Sequence, residues 1–157
     1  MATSLSQADV IYNQLGEYID VVVEPERRDT FPAIALAASY LKYEKSCADE
    51  EVVVVMPCDP FTEAGYFKVI EQMVHAEDDN VAELVLMGIT PAYPSVKYGY
   101  VVPDESKLKG GIFSVKRFTE KPNVATAEYL IKENAFWNGG VFALSLIHIS
   151  EPTRRVV

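Results

Sequence analysis

The stretch Asp20-Val21-Val22-Val23-Glu24-Pro25-Glu26-Arg27-Arg28-Asp29-Thr30-Phe31-Pro32-Ala33-Ile34-Ala35-Leu36-Ala37-Ala38 decides the fold. It opens on a short β-branched run almost free of polar residues, which fits a strand buried on both faces. It closes where Ile34, Ala37, Ala38 and Leu41 fall on one helical stripe, predicting a helix from Pro32 to about Tyr43. A second run of the same kind, Val52-Val53-Val54-Val55-Met56, follows. Then comes Glu63 to about Ala76, whose pairs Tyr66/Phe67, Val69/Ile70 and Met73/Val74 share a helical face. Glu83 to Ile89 is a third, weaker strand. Gln7 to Leu15, with Gly16 near its end, predicts an opening helix. Strands alternating with helices in this way predict an α/β domain with a mostly parallel sheet and right-handed crossovers.

The rhythm changes after Ile89. Thr90 to Pro94 reads as a loop. Tyr98 to Val102 and Ile112 to Phe118 read as strands, joined through Asp104 to Gly111 as a long hairpin inserted into the domain. Asn123 can cap a short helix from Val124 to about Lys132. Phe136 to Leu144 completes the pattern as a last strand.

Composition narrows the function classes. With 157 residues, 49% hydrophobic and 24% charged, the chain suits one soluble globular domain rather than a disordered segment. Fourteen Lys and Arg against 23 Asp and Glu give a net charge of −9, which argues against nucleic acid as a partner. No apolar run reaches membrane-spanning length, so no membrane partner is expected. Met1 to Gln7 has no signal-peptide pattern. Cys47 and Cys58 form no disulfide framework, so the expected location is the cytoplasm. His75 and His148 lack zinc-ligand spacing.

Four constellations could carry chemistry. Glu24 to Thr30 follows a strand and opens a helix, where open α/β sheets place ligands and helix N–H groups meet anions. Equally, Asp29 or Thr30 could simply cap that helix. Asp59, just past the Val52 strand, could hold Mg²⁺ with substrate phosphates, or cap a helix with Pro60 in its first turn. Glu120-Lys121-Pro122 sets an acceptor and a cation at one strand end, which is also the pattern of a solvated charged turn. In Trp137-Asn138-Gly139-Gly140, Asn138 offers donor and acceptor groups to hydroxyls. The paired glycines suggest a bulge, a close ligand approach or a bent edge strand.

Taken in order, these motifs are more specific than any one alone. Glu-Pro-x-x-Arg-Asp-Thr-x-Pro-Ala-Ile-Ala-Leu-Ala-Ala from Glu24, Val55-x-x-x-Asp59, Tyr98-Gly99-Tyr100, Phe118-x-Glu120-Lys121-Pro122 and Trp137-Asn138-x-Gly140-x-Phe142 resemble the GDP-mannose pyrophosphorylase branch of the sugar nucleotidyltransferases. The resemblance runs from about Gln7 to about Leu144. It implies a Rossmann-like nucleotidyltransferase domain over residues 1–144. It also implies guanylyl transfer from GTP to mannose 1-phosphate, giving GDP-mannose and pyrophosphate, with Mg²⁺ as cofactor. Under it, Glu24, Arg28, Asp29 and Thr30 bind the nucleotide. Gly99, Glu120 and Asn138 bind the sugar, Lys121 serves catalysis at the sugar's phosphate, and Asp59 holds the metal. GTP and mannose 1-phosphate are the implied partners, and a homo-oligomer is compatible with it.

The chain also departs from that family. None of its eight glycines lies in the G-x-G-x-R-L-x-P loop that holds the triphosphate, and the strand that precedes this loop is missing too. Pro60 stands where the family has His after the metal aspartate, and the family's downstream aspartate is absent. Residues 145–157, Ser145-Leu146-Ile147-His148-Ile149-Ser150-Glu151-Pro152-Thr153-Arg154-Arg155-Val156-Val157, leave the family pattern and read as a non-native tail of the kind translated from sequencing adapter. The expectation is therefore an incomplete, internal fragment with little turnover. The alternatives are a nucleotidyltransferase for another sugar 1-phosphate, and a non-catalytic regulatory subunit of the same fold.

Overall fold

The computed structural model describes residues 1–78, 82–109 and 111–150. Its elements follow the α/β order read from the sequence. They are β1 (Ala2–Ser4), α1 (Leu5–Leu15), β2 (Val22–Glu24), α2 (Thr30–Tyr43), β3 (Val52–Val55), α3 (Ala64–Asp78), β4 (Val85–Ile89), β5 (Tyr100–Lys109), β6 (Ile112–Thr119), α4 (Val124–Lys132), β7 (Phe136–Ser145) and α5 (Leu146–Ser150). The chain divides into two compact units. The first holds Met1–Val55 with the described parts of Val74–Leu84 and Ala143–Val157, and the second holds Met56–Met73 and Val85–Phe142.

In the first unit, β1 and β2 pair in parallel, with Ala2 opposite Val22, Thr3 opposite Val23 and Ser4 opposite Glu24. Helix α1 joins them, so the chain begins with a βαβ unit. Strand β1 goes unnoticed in sequence because Ala-Thr-Ser is short and carries no large apolar side chain. The double-sided burial expected of the valine runs is not found. Val23 is 38% exposed, and every residue of β3 is only half-buried. Among the described strands β2 pairs with β1 alone, so one of its edges stays open. The core of this unit is Ala38, Leu146 and Ile149, with Ile34, Leu41, Cys47, Val53 and Leu144 packed around them. Helix α5 is anchored through its backbone as well. The Leu146 and Ile147 N–H groups donate to the Glu51 and Asp49 carbonyls at 3.1 and 2.9 Å. Thus residues 145–149 of the stretch set apart as a tail are packed into this unit, while 151–157 lie outside the described residues.

In the second unit, β5 lies between β6 and β7, antiparallel to both, and β4 also pairs with β7. The β5–β6 ladder is the expected hairpin, but β5 runs on to Lys109, through residues read as connector. Asp104 to Lys109 offers no apolar alternation to mark a strand, and the ladder is carried by backbone pairing across shifts in register. Helix α4 closes one sheet face, its Ala127 and Leu130 clustering with Tyr100, Val102 and Ala135. Its cap is the one expected: Asn123 Oδ1 accepts from the Thr126 N–H at 2.8 Å. Among the described residues no helix is long and apolar enough to cross a membrane.

Candidate functional site

The second unit assembles four residues from three strand ends. Tyr100 faces Thr119 of β6 and Trp137 of β7. One residue further, the same ladder sets Gly99 between Glu120 and Asn138, and the Asn138 N–H donates to the Gly99 carbonyl at 2.8 Å. Glu120, Gly99 and Asn138 therefore form one cross-strand row on one sheet face, since side chains alternate along a strand. A Cβ at Gly99 would lie 2.7 Å from Glu120 Oε2 and 2.8 Å from Phe118 Cζ. Glycine at this position lets the carboxylate and the ring reach over the middle strand.

Asn138 is held in a set orientation. Its Oδ1 accepts from the Gly140 N–H at 3.1 Å, which leaves the two Nδ2 hydrogens to donate to a hydroxyl oxygen. The paired glycines have local causes. A Cβ at Gly139 would stand 2.9 Å from the Met87 carbonyl of β4, and Gly140 has φ of +69°. Strand β7 has neighbours on both sides, so it is not a bent edge strand.

Lys121 extends the row. Its ammonium lies 3.5 Å from Glu120 Oε1, and both side chains are largely exposed. Its φ is +40°, in the left-handed region, and Pro122 follows. A side chain with a Cβ is strained there, and a following proline disfavours α-type backbone further. Such strain concentrates where a side chain must be aimed. Asp59 belongs to the same unit and lies exposed in the irregular stretch between β3 and α3. Among the described residues no three His, Cys, Asp or Glu side chains come together as a metal cage. A single carboxylate is compatible with Mg²⁺, which takes one or two such ligands and fills its shell with water and phosphate oxygens.

The residues expected to meet a nucleotide lie in the first unit. Glu24, Pro25, Glu26, Arg28, Pro32 and Leu36 line a hollow of about 460 Å³. Glu24 is at the end of β2, where a parallel strand delivers its side chain to a rim. Glu26 is absent from the residues the motif singles out, yet it fixes the arginine: its Oε2 accepts from Arg28 Nη2 at 2.7 Å and from Nε at 3.2 Å. The spacing of opposite charges at 26 and 28 is the sequence signal for it. Asp29 holds the N-cap position of α2 without a side-chain capping bond, and Thr30 is the first helical residue. Both are exposed beside the helix start rather than in the wall of the hollow.

The row sets a carboxylate, an amide and a lysine at one sheet end of an α/β chain, the placement that the resemblance to sugar nucleotidyltransferases implies. The chain belongs to the nucleotidyl transferase family, whose model matches residues 7–156. It is 33% identical over 134 residues to the mannose-1-phosphate guanylyltransferase of Escherichia coli, covering 81% of this chain and 28% of that protein. It is 33% identical over 138 residues to the xanthan biosynthesis protein XanB of Xanthomonas campestris pv. campestris, covering 86% of this chain and 28% of that one. Among solved structures, that described as mannose-1-phosphate geranyltransferase from Thermus thermophilus superposes with a TM-score of 0.83 at 27% identity, over 98% of this chain and 44% of that one. The mannose-6-phosphate isomerase structure from Helicobacter pylori, TM-score 0.76 at 21% identity over 93% of this chain and 55% of that one, shares the fold. The chain thus spans little more than a quarter of the length of these curated relatives.

Proposed function

We propose that this chain is the sugar-phosphate and base-binding part of an enzyme that transfers a guanylyl group from GTP to mannose 1-phosphate, releasing pyrophosphate. The observation that carries this reading is the row Glu120–Gly99–Asn138 with Lys121 at its end. A carboxylate accepts two sugar hydroxyls, an amide donates to a third, and an ammonium meets the phosphate as a point charge. In the transfer, an oxygen of the sugar phosphate attacks the α-phosphorus of GTP in line, and the bond to the bridging oxygen of the departing pyrophosphate breaks. The protein's part is to orient the acceptor and neutralise charge. Glu120 and Asn138 fix the hexose, Lys121 offsets the charge of its phosphate, and the Glu24 carboxylate accepts from the N1–H and amino group of guanine. Asp59 is the residue that would hold Mg²⁺, which supplies charge neutralisation between the phosphates.

Calorimetry with mannose 1-phosphate tests the reading. Binding is expected to the unsubstituted chain, weakened about tenfold or more in Glu120→Gln, the size of a lost hydrogen bond to a charged group. GTP is expected to bind ahead of UTP and dTTP. Because the chain carries no glycine-rich triphosphate loop, pyrophosphate release from GTP, mannose 1-phosphate and Mg²⁺ is expected to be negligible. Equal affinity for glucose 1-phosphate, or no effect of Glu120→Gln, would count against the reading.

A further inference from the structure

We infer that Phe118 is a further sugar-binding residue: its ring is the apolar platform against which the C3–C5 edge of the hexose rests. The inference builds on the sugar-phosphate reading and adds a residue to it. Phe118 faces Val101 in the β5–β6 ladder and precedes Glu120 by two positions, so the two side chains share a sheet face. The ring does not stay in its own row. Its Cζ and Cε2 lie 2.8 and 3.3 Å from the place a Gly99 Cβ would take, against 2.7 Å for Glu120 Oε2. Ring and carboxylate therefore meet over the same glycine. Val101, Phe118's partner in the ladder, is 5% exposed, whereas Phe118 is 47% exposed.

An exposed phenyl ring beside a carboxylate suits a ligand that is itself two-sided. A pyranose is such a ligand: hydroxyls project around its rim, while axial C–H bonds make its faces apolar. In α-mannose 1-phosphate the axial H3 and H5 bonds share a face with the axial phosphate oxygen at C1, so the ring meets the C3–C5 edge away from the phosphate, where the partial positive charge of those hydrogens is attracted to the negative face of an aromatic ring. The Glu120 carboxylate then takes hydroxyls at the rim, and Asn138 closes the far side of the row. Inversion at C3 would turn a hydroxyl onto that face and lose the contact, whereas glucose 1-phosphate, which differs at C2 on the opposite face, would keep it.

The test is saturation-transfer NMR on the full chain with α-mannose 1-phosphate. The expected result is strongest transfer at H3 and H5, with affinity falling about tenfold in Phe118→Leu and kept in Phe118→Tyr. If Phe118→Leu binds as tightly as the unsubstituted chain while Glu120→Gln does not, the platform is overturned and the sugar site stands. If the unsubstituted chain shows no transfer at all, both fall. An intermolecular NOE from the Phe118 ring to H3 or H5 in the unsubstituted chain gives the answer without a variant. Its absence from a bound sample overturns the platform.

Discussion

The two candidate regions are built in opposite ways. In the first unit the proposed nucleotide residues fall within one short stretch, from Glu24 at the end of β2 to Thr30 at the start of α2. An exposed ion pair, Glu26 to Arg28, is their main internal tie. In the second unit Gly99, Glu120 and Asn138 are far apart in sequence and become neighbours only through strand register. That row sits at the end of strands whose far side is a buried core of Tyr100, Ala127 and Leu130. Sites on paired strands hold their geometry better than sites on loops. The contrast therefore predicts that damage to the fold reaches the sugar row more readily than damage to the loop reaches anything else.

The largest expected effect is from the cores. Leu130 is 1% exposed and Leu146 is 2% exposed, so truncation of either to Ala should cost about 2–5 kcal/mol in urea unfolding. Leu130→Ala should also weaken mannose 1-phosphate binding. Leu146→Ala should leave the amide spectrum of Gly99 and Asn138 unchanged at temperatures where the chain is folded. If both variants disturb the row equally, the distinction between the regions fails.

Next come the glycines. Gly139→Ala drives a Cβ against the Met87 carbonyl, a backbone atom, and should cost about 1–3 kcal/mol. Gly99→Ala meets only the ends of Glu120 and Phe118 and should cost under about 1 kcal/mol, while displacing both side chains from the row. Its signature is a larger loss of sugar-phosphate affinity than of stability.

Lys121→Gly separates strain from function. Relief of left-handed strain, about 1–2 kcal/mol, is offset by glycine's added freedom when unfolded, about 0.5–1 kcal/mol. Thermal stability should hold or rise slightly while mannose 1-phosphate affinity falls. A variant less stable by roughly 2 kcal/mol or more, the size of a lost core contact, would contradict the strain.

Smaller still, Glu26→Gln breaks an exposed pair. It should change stability by under about 1 kcal/mol, and its effect should appear in GTP binding alone.

The smallest effect depends on pH. A hydrogen bond from Lys45 holds the Asp20 carboxyl below its ordinary value, and the same bond raises Lys45. The Asp20 contribution is complete above the ordinary carboxylate range and is lost as pH falls through its lowered folded value. The Lys45 contribution is complete below its ordinary value and is lost as pH rises through its raised one. Asp20→Asn should therefore lower the urea midpoint slightly at pH 7 and leave it unchanged well below pH 3.8, the ordinary value for Asp.

The sequence conveys the order of elements because periodicity is local. The Ile34 stripe, the Asn123 cap and the hairpin strands can each be read without knowing what they touch. Strand β1 cannot be read that way, since Ala2-Thr3-Ser4 is recognisable only by its partner β2. The far half of β5 is hidden for the same reason. The site shows a similar division. Glu24, Arg28, Glu120 and Asn138 stand out by residue type and motif, but a row across three strands is a fact of register, which no local pattern encodes. Phe118 opens the motif Phe118-x-Glu120-Lys121-Pro122 but carries no role there, because a phenylalanine in a strand is ordinarily core, and only its exposure marks it.

The central claim is that Glu120, Gly99, Asn138 and Lys121 form one sugar-phosphate site. Amide chemical shifts recorded while mannose 1-phosphate is added test it most directly. The account predicts shifts concentrated at those four residues and Phe118, with Glu24 to Thr30 unmoved. Shifts confined to Glu24 to Thr30, or none at the four residues when the ligand is saturating, would contradict it.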